Sequence, residues 1–246
     1  MAELAIIGGT GLTQLKSLEI SDREIVHTPF GEPSGPLTRG KLYGKEIMFL
    51  PRHGYGHTIP PHKINFRANL WALKEAGAKN VFAVAAVGGI RKDMVPSQLV
   101  VPDQIIDYTY SRVCTYFEDG LQHVTHIDFT HPYSEQLRKT IIKAAEVEKI
   151  NIIDGACYGA TQGPRLETTA EINRMERDGC DIVGMTGMPE AALARELELN
   201  YATCAVVANS AAGRGEGEIT MKEIEKYLAL GMSNVVKLLE QLVKLI

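Results

Sequence analysis

Donors suited to an anion recur in this chain, each time just after an apolar run. Ile6-Ile7-Gly8-Gly9-Thr10-Gly11-Leu12 places glycines and a hydroxyl after the first run. A backbone without Cβ atoms can bring its N–H groups close to an anion, and Thr10 adds a hydroxyl donor. Pro51-Arg52-His53-Gly54-Tyr55-Gly56-His57 offers a guanidinium whose planar fork suits phosphate and an imidazole as a second donor. Gly184-Met185-Thr186-Gly187-Met188-Pro189 sets a hydroxyl and a glycine between a strand and a helix start, a natural anion position. Val84-Ala85-Ala86-Val87-Gly88-Gly89 is small and apolar, so it can pack tightly or turn backbone amides toward a ligand. Each stretch also has a plain reading: a tight turn, a surface Arg-His pair, close packing.

A second group of residues suits the edge of a heterocycle. Glu167, in Gln162-Gly163-Pro164-Arg165-Leu166-Glu167-Thr168, can accept from ring N–H groups or simply favour a helix start. Asn209 ends the most apolar run and can donate and accept together, or make an Asx turn into the glycine-rich 212–217 loop. The histidines of His123-Val124-Thr125-His126-Ile127-Asp128-Phe129-Thr130-His131 match no zinc spacing, so a polar loop or a contact across a subunit boundary fits them better than a metal site.

The elements that must position these residues follow from the apolar pattern. Strands are expected at 4–7, 81–86, 152–158, 181–183 and 201–208, and a hairpin at 39–43 and 46–50. Helices are expected at 64–76, 134–148 and 189–197. Capping-box spacings of Thr168 with Glu171 and of Thr220 with Glu223 open a helix through Arg177 and a long final helix. The alternation predicts a single α/β domain over 1–246, with a mixed, mostly parallel central sheet flanked by helices. In such sheets ligands bind at the loops after the strands, where the polar motifs lie.

The 246 residues are 45% hydrophobic and 23% charged, with a net charge of −4, an ordinary globular composition that argues against nucleic acid or an anionic membrane as partner. Cys114, Cys157, Cys180 and Cys204 show no CxxC spacing, and no signal peptide or membrane-length apolar run is visible, so a cytoplasmic protein is expected. A dinucleotide site at Gly8–Gly11 is disfavoured. The full G-x-G-x-x-G is absent, and residues 13–36 hold no crossover helix.

Taken in order, IIGGTGL, RHG with its following His57, HKINFRANLWALKEAG, TQGPRLET and GMTGMPEAALARE resemble the trimeric purine nucleoside phosphorylase family, in its methylthioadenosine phosphorylase branch. The resemblance runs from Ile6 to about Ile224. It implies a pentosyltransferase that splits a purine nucleoside with inorganic phosphate as co-substrate, without metal or organic cofactor, in a homotrimer. By resemblance, Thr10, Arg52, His53, Ala86 (through its N–H) and Thr186 surround phosphate, Met185 lies against the ribose, and Leu166 covers base and sugar. His57, Met221 and Ile224 line the 5′ pocket, with His126 reaching in from a neighbouring subunit.

Two departures from the adenine-specific branch bear on the base. Its paired aspartates are here Asn209 and Ala211, and its small residue is here Glu167. Glu167 with Asn209 resembles the 6-oxopurine phosphorylases and makes these two the expected catalytic pair. Ala85 also lacks the hydroxyl that relatives commonly offer to phosphate. With Met221 and Ile224 as an apolar 5′ wall, the implied substrate is 5′-methylthioinosine. Inosine, guanosine or methylthioadenosine are the alternatives.

Overall fold

The computed structural model describes residues 3–9 and 18–246. In chain order its strands and helices are β1 (Leu4–Gly8), β2 (Glu19–Glu24), β3 (Leu37–Leu42), β4 (Lys45–Pro51), α1 (Phe66–Glu75), β5 (Asn80–Gly89), β6 (Leu99–Val101), β7 (Gln104–Asp107), α2 (Glu135–Val147), β8 (Ile152–Asp154), β9 (Cys157–Ala160), α3 (Thr169–Arg177), β10 (Ile182–Gly184), α4 (Gly187–Glu196), β11 (Asn200–Ser210) and α5 (Met221–Leu245). Within α4, Met188 has extended φ and ψ, so the continuous helix begins at Pro189, as expected.

The α/β class is as read, with a mixed sheet in which parallel pairs predominate. The strand order is β2-β3-β4-β1-β5-β10-β9-β7, and a branch runs from β5 through β11 and β6 to β8. β1–β4, β1–β5, β5–β11, β6–β8, β7–β9 and β9–β10 are parallel. Strand β1 shows why the sheet is covered on both faces. Its Ala5 and Ile7 join a cluster with Phe66 and Leu70 of α1 and Ala191 of α4, while Leu4 and Ile6 join Leu137 of α2 and Val235 and Leu239 of α5. That two-residue alternation is the strand period, with apolar side chains on both sides.

Both expected caps form. Thr168 and Glu171 exchange both bonds of a capping box, and the Thr220 hydroxyl oxygen accepts from the Glu223 N–H. The expected strand at 152–158 is instead β8 and β9, because Gly155 turns the chain with φ +89°. Strands β2, β6 and β7 had no sequence signal: β2 is exposed throughout, and the other two span three and four residues. Among the described residues no helix is long and apolar enough to cross a membrane.

One edge of β5 changes partner along its length. β11 covers the other edge from Asn80 to Gly89, whereas β1 pairs only with Asn80–Ala83 and β10, antiparallel, only with Gly88 and Gly89. Among the described residues, 84–87 therefore face no strand on that side. The ends of β1 and β4 and the loop after β10 converge on this notch.

Candidate active site

Arg52 follows β4 and fills the floor of the notch. Its Nε and Nη2 donate to the two carboxylate oxygens of Glu190 at 2.6 and 2.7 Å. Nη1 donates to the Val84 carbonyl at 2.8 Å, and Nη2 also reaches the Ile7 carbonyl at 3.4 Å. Both partners are buried, and Glu190 accepts in addition from the Tyr201 hydroxyl at 2.8 Å. Burial by itself would lower the guanidinium pKa, but the Glu190 charge and hydrogen bonds hold it above the ordinary value. The fork is thus turned largely toward the protein. Arginine has five N–H donors, and four of those of Arg52 meet acceptors among the described residues, leaving one on Nη1. Arg52 can offer an anion that single donor, not a bidentate grip.

Ala86 is the one exposed position in β5. Because N–H and C=O groups alternate along a strand, Ala86 directs its own to the same edge as Val84, whose carbonyl meets Arg52 in the notch. Its N–H thus faces an edge without a strand partner, as the backbone contact to phosphate requires. The antiparallel register Ile182↔Gly89, Val183↔Gly88 carries the chain past Gly184 toward the level of Ala86, bringing in Met185 and Thr186. Thr186 is buried and precedes α4, and its hydroxyl makes no capping bond.

His53 is half-buried, and its Nδ1 lies 2.9 Å from the Ile59 carbonyl. A carbonyl only accepts, so Nδ1 carries the proton and Nε2 is left as an acceptor. Burial pushes its pKa down to about 4, with Arg52 and His57 adding to the effect. The ring is then neutral near pH 7, with its one N–H committed to the Ile59 carbonyl. It donates from Nε2 only after taking a proton, whereas HPO₄²⁻ still has one hydroxyl that can donate to it. His57 is exposed and stacks on His53 with ring centroids 4.3 Å apart.

On the base side, the Thr161 hydroxyl donates to Glu167 Oε1 at 2.7 Å, so the carboxylate is held by the loop rather than by the backbone of α3. Gly163, at φ +58°, packs so closely on the Met185 thioether that a Cβ there would collide with it. The β5–β11 register shifts between Val207 and Asn209, a bulge that re-aims Asn209 beside Gly88, two residues beyond Ala86. Asn209 Nδ2 donates to the Ser210 carbonyl at 2.7 Å and keeps its oxygen and one N–H. Leu166 is exposed, as a side chain covering a ligand can be.

The other expected residues lie on separate elements. Ala211 is 2% exposed and packs among Ile90, Met175 and Val183, under the loop instead of open to a ligand. Met221 is exposed and Ile224 half-buried in the first turn of α5, reached through the loop after β11. His126 is exposed on the irregular segment before α2. Thr10 lies outside the described residues. Glu190 and Arg112 were missed. Glu190 reads as a helix acid, 138 residues from Arg52 in sequence.

A model described as the Phosphorylase superfamily matches residues 3–244. The chain is 56% identical over 235 residues to a probable S-methyl-5′-thioinosine phosphorylase of Pseudomonas syringae pv. tomato, covering 96% of each protein. It is 43% identical to a 6-oxopurine nucleoside phosphorylase of Pyrococcus furiosus, covering 100% of this chain and 94% of that one. Among solved structures it superimposes with a TM-score of 0.94 and 32% identity on methylthioadenosine phosphorylase from Schistosoma mansoni in complex with adenine, covering 100% of this chain and 92% of that one.

The state of His53 has a measurable consequence. Its folded pKa of about 4 lies below the ordinary 6.5, so the unfolded chain takes up the proton first as pH falls. The stability contributed by the neutral ring is complete above about pH 6.5 and is lost between about 6.5 and about 4. Urea midpoints of the phosphate-free protein are expected to drop across that window more steeply than those of His53→Gln. Parallel curves for the two would show that His53 is not held neutral.

Proposed function

The chain belongs to the phosphorylase superfamily, and from that premise we propose that it cleaves 5′-methylthioinosine with inorganic phosphate, giving hypoxanthine and 5-methylthioribose 1-phosphate. The observation that carries this reading is the notch in β5. The exposed Ala86 edge, suited to phosphate, lies two residues from the level of Asn209, suited to a purine edge. The names of two relatives at 56% and 52% identity, each a probable S-methyl-5′-thioinosine phosphorylase, support the same substrate. The reading needs phosphate as co-substrate and no metal or organic cofactor.

Phosphate itself attacks the anomeric carbon, so no covalent enzyme nucleophile is required. The protein's work is positioning and electrostatics. The Ala86 N–H, the Thr186 hydroxyl and the last Arg52 N–H hold the anion beneath the sugar, where its charge stabilises oxocarbenium character. As the bond between N9 and the anomeric carbon breaks, its electrons pass to the purine and N7 takes a proton from water, balanced by the proton that the phosphate hydroxyl gives up on becoming the sugar ester. Asn209 then accepts from N7–H through its oxygen and donates to O6 through its free N–H. Glu167, fixed by Thr161, accepts from the ring N–H at N1.

This arrangement selects the base. Adenine presents a donor at the six position, so Asn209 must turn its amide and lose the N7 contact. An unpaired polar group in a desolvated site costs about 1–3 kcal/mol, and sites built around such contacts discriminate strongly. The test is phosphate-dependent release of base from methylthioinosine, methylthioadenosine, inosine, guanosine and adenosine. Methylthioinosine is expected to exceed methylthioadenosine in kcat/KM by about 10²-fold or more. Asn209→Asp should narrow the gap, with Glu167→Ser added if needed. Equal kcat/KM for the two methylthio substrates in the parent protein would contradict the assignment of Asn209, and inosine cleaved better than methylthioinosine would favour a broader 6-oxopurine phosphorylase.

We propose further that the working unit is a homotrimer in which His126 completes a neighbour's 5′ pocket. The irregular segment that carries it exposes Tyr110, Val113, Phe117, Leu121 and Val124, apolar surface that closed cyclic association would cover. Light scattering at assay concentration should give a trimer. A fully active monomer would contradict the assignment.

A further inference from the structure

Arg112 lies in the irregular segment between β7 and α2. Its Nε donates to Gln162 Oε1 at 3.1 Å. Nη1 donates to the carbonyls of Met185 and Met188 at 2.9 and 2.6 Å, and Nη2 to those of Thr161 and Gln162 at 3.1 and 2.8 Å. That accounts for every N–H of an arginine, and none of these bonds goes to a carboxylate. One face of the guanidinium lies over the Phe66 ring at 5.6 Å.

All five acceptors belong to two loops. One follows β9 and leads to Leu166 and Glu167; the other follows β10 and carries Met185 and Thr186. The Thr161 N–H donates to the Gly184 carbonyl at 2.8 Å, and this backbone bond joins the two chains as they leave the sheet. Past that bond the guanidinium spans them, and Gly163 of the first packs against the Met185 side chain of the second. The segment holding Arg112 is itself pinned. Tyr110 N–H donates to Gln162 Oε1 at 3.2 Å, while the Thr115 hydroxyl and the Tyr116 N–H donate to the two oxygens of Glu196 on α4 at 2.6 and 2.7 Å.

We propose that Arg112 is a positioning residue for phosphorolysis: its planar guanidinium sets the gap between the Glu167 loop and the Met185–Thr186 loop without touching substrate. The proposal rests on the reading of Glu167 as a base contact and Thr186 as a phosphate contact. Base and phosphate must meet the sugar from opposite sides, so the spacing of the two loops is the spacing of the reacting groups. A misplacement of about 1 Å can cost about 10²-fold in rate. Lysine keeps the charge but offers donors from a single point, which cannot bridge carbonyls on two loops.

The test compares Arg112→Lys and Arg112→Ala with the parent, varying methylthioinosine and phosphate separately and recording thermal unfolding in parallel. Arg112→Lys is expected to lose about 10²-fold in kcat/KM for the nucleoside, and to need more phosphate, while staying folded at the assay temperature. Added guanidinium ion should restore activity several-fold to Arg112→Ala and not to Arg112→Lys. A folded Arg112→Lys enzyme within twofold of the parent would overturn the proposal. So would a loss of activity that merely follows the folded fraction, since a purely structural role leaves turnover of the folded protein unchanged. If Arg112→Ala does not fold, Arg112→Lys alone decides. Glu167→Gln, measured alongside, tests the underlying reading by itself: unchanged kcat/KM there removes the base contact and the proposal with it. A loss in Glu167→Gln with an unaffected Arg112→Lys would overturn the proposal alone.

Discussion

The proposed site depends on one edge of β5 that, among the described residues, no strand covers between β1 and β10. A sheet edge without a partner exposes N–H and C=O groups that must be satisfied some other way. Here the buried Arg52–Glu190 pair closes the lower part, with Nη1 on the Val84 carbonyl, and Ala86 is left exposed above it. Removing either member of the pair would strand a charge in the interior, which typically costs about 3–5 kcal/mol. Arg52 is therefore as much a part of the fold as of the site.

That pairing sets the electrostatics of the notch. Since Glu190 balances Arg52 and His53 is neutral, neither would present an anion in the notch with an unbalanced positive charge. In the proposed function its binding falls to a backbone N–H, a hydroxyl and one remaining guanidinium proton. Such fixed donors still stabilise charge strongly where water is excluded and nothing reorganises during the reaction. The base side follows the same logic: Thr161 holds Glu167, and the bulge in β11 re-aims Asn209, so both are set before a substrate arrives.

Features governed by neighbours in sequence were legible from it. The caps at Thr168 and Thr220, the hairpin of β3 and β4, the start of α4 at Pro189 and the α/β alternation all depend on short-range pattern. What escaped depends on distant contacts. Glu190 is a helix residue until the fold brings it to Arg52, and Arg112 binds mostly carbonyls, which every residue has. The burial of Ala211 is settled by α3 and β10 packing over it, not by its own loop. β2 carries no apolar alternation, and β6 and β7 are too short for a period to show.

The notch as phosphate site is the claim on which the rest stands, and the amide of Ala86 reports on it directly. Titrating inorganic phosphate into the isotope-labelled protein while following backbone ¹H–¹⁵N resonances should move the Ala86 signal saturably, and that of Thr186 with it. Amides on the far side of the sheet, such as those of α2, should stay in place. Saturable phosphate binding that leaves the Ala86 amide unmoved would contradict the account.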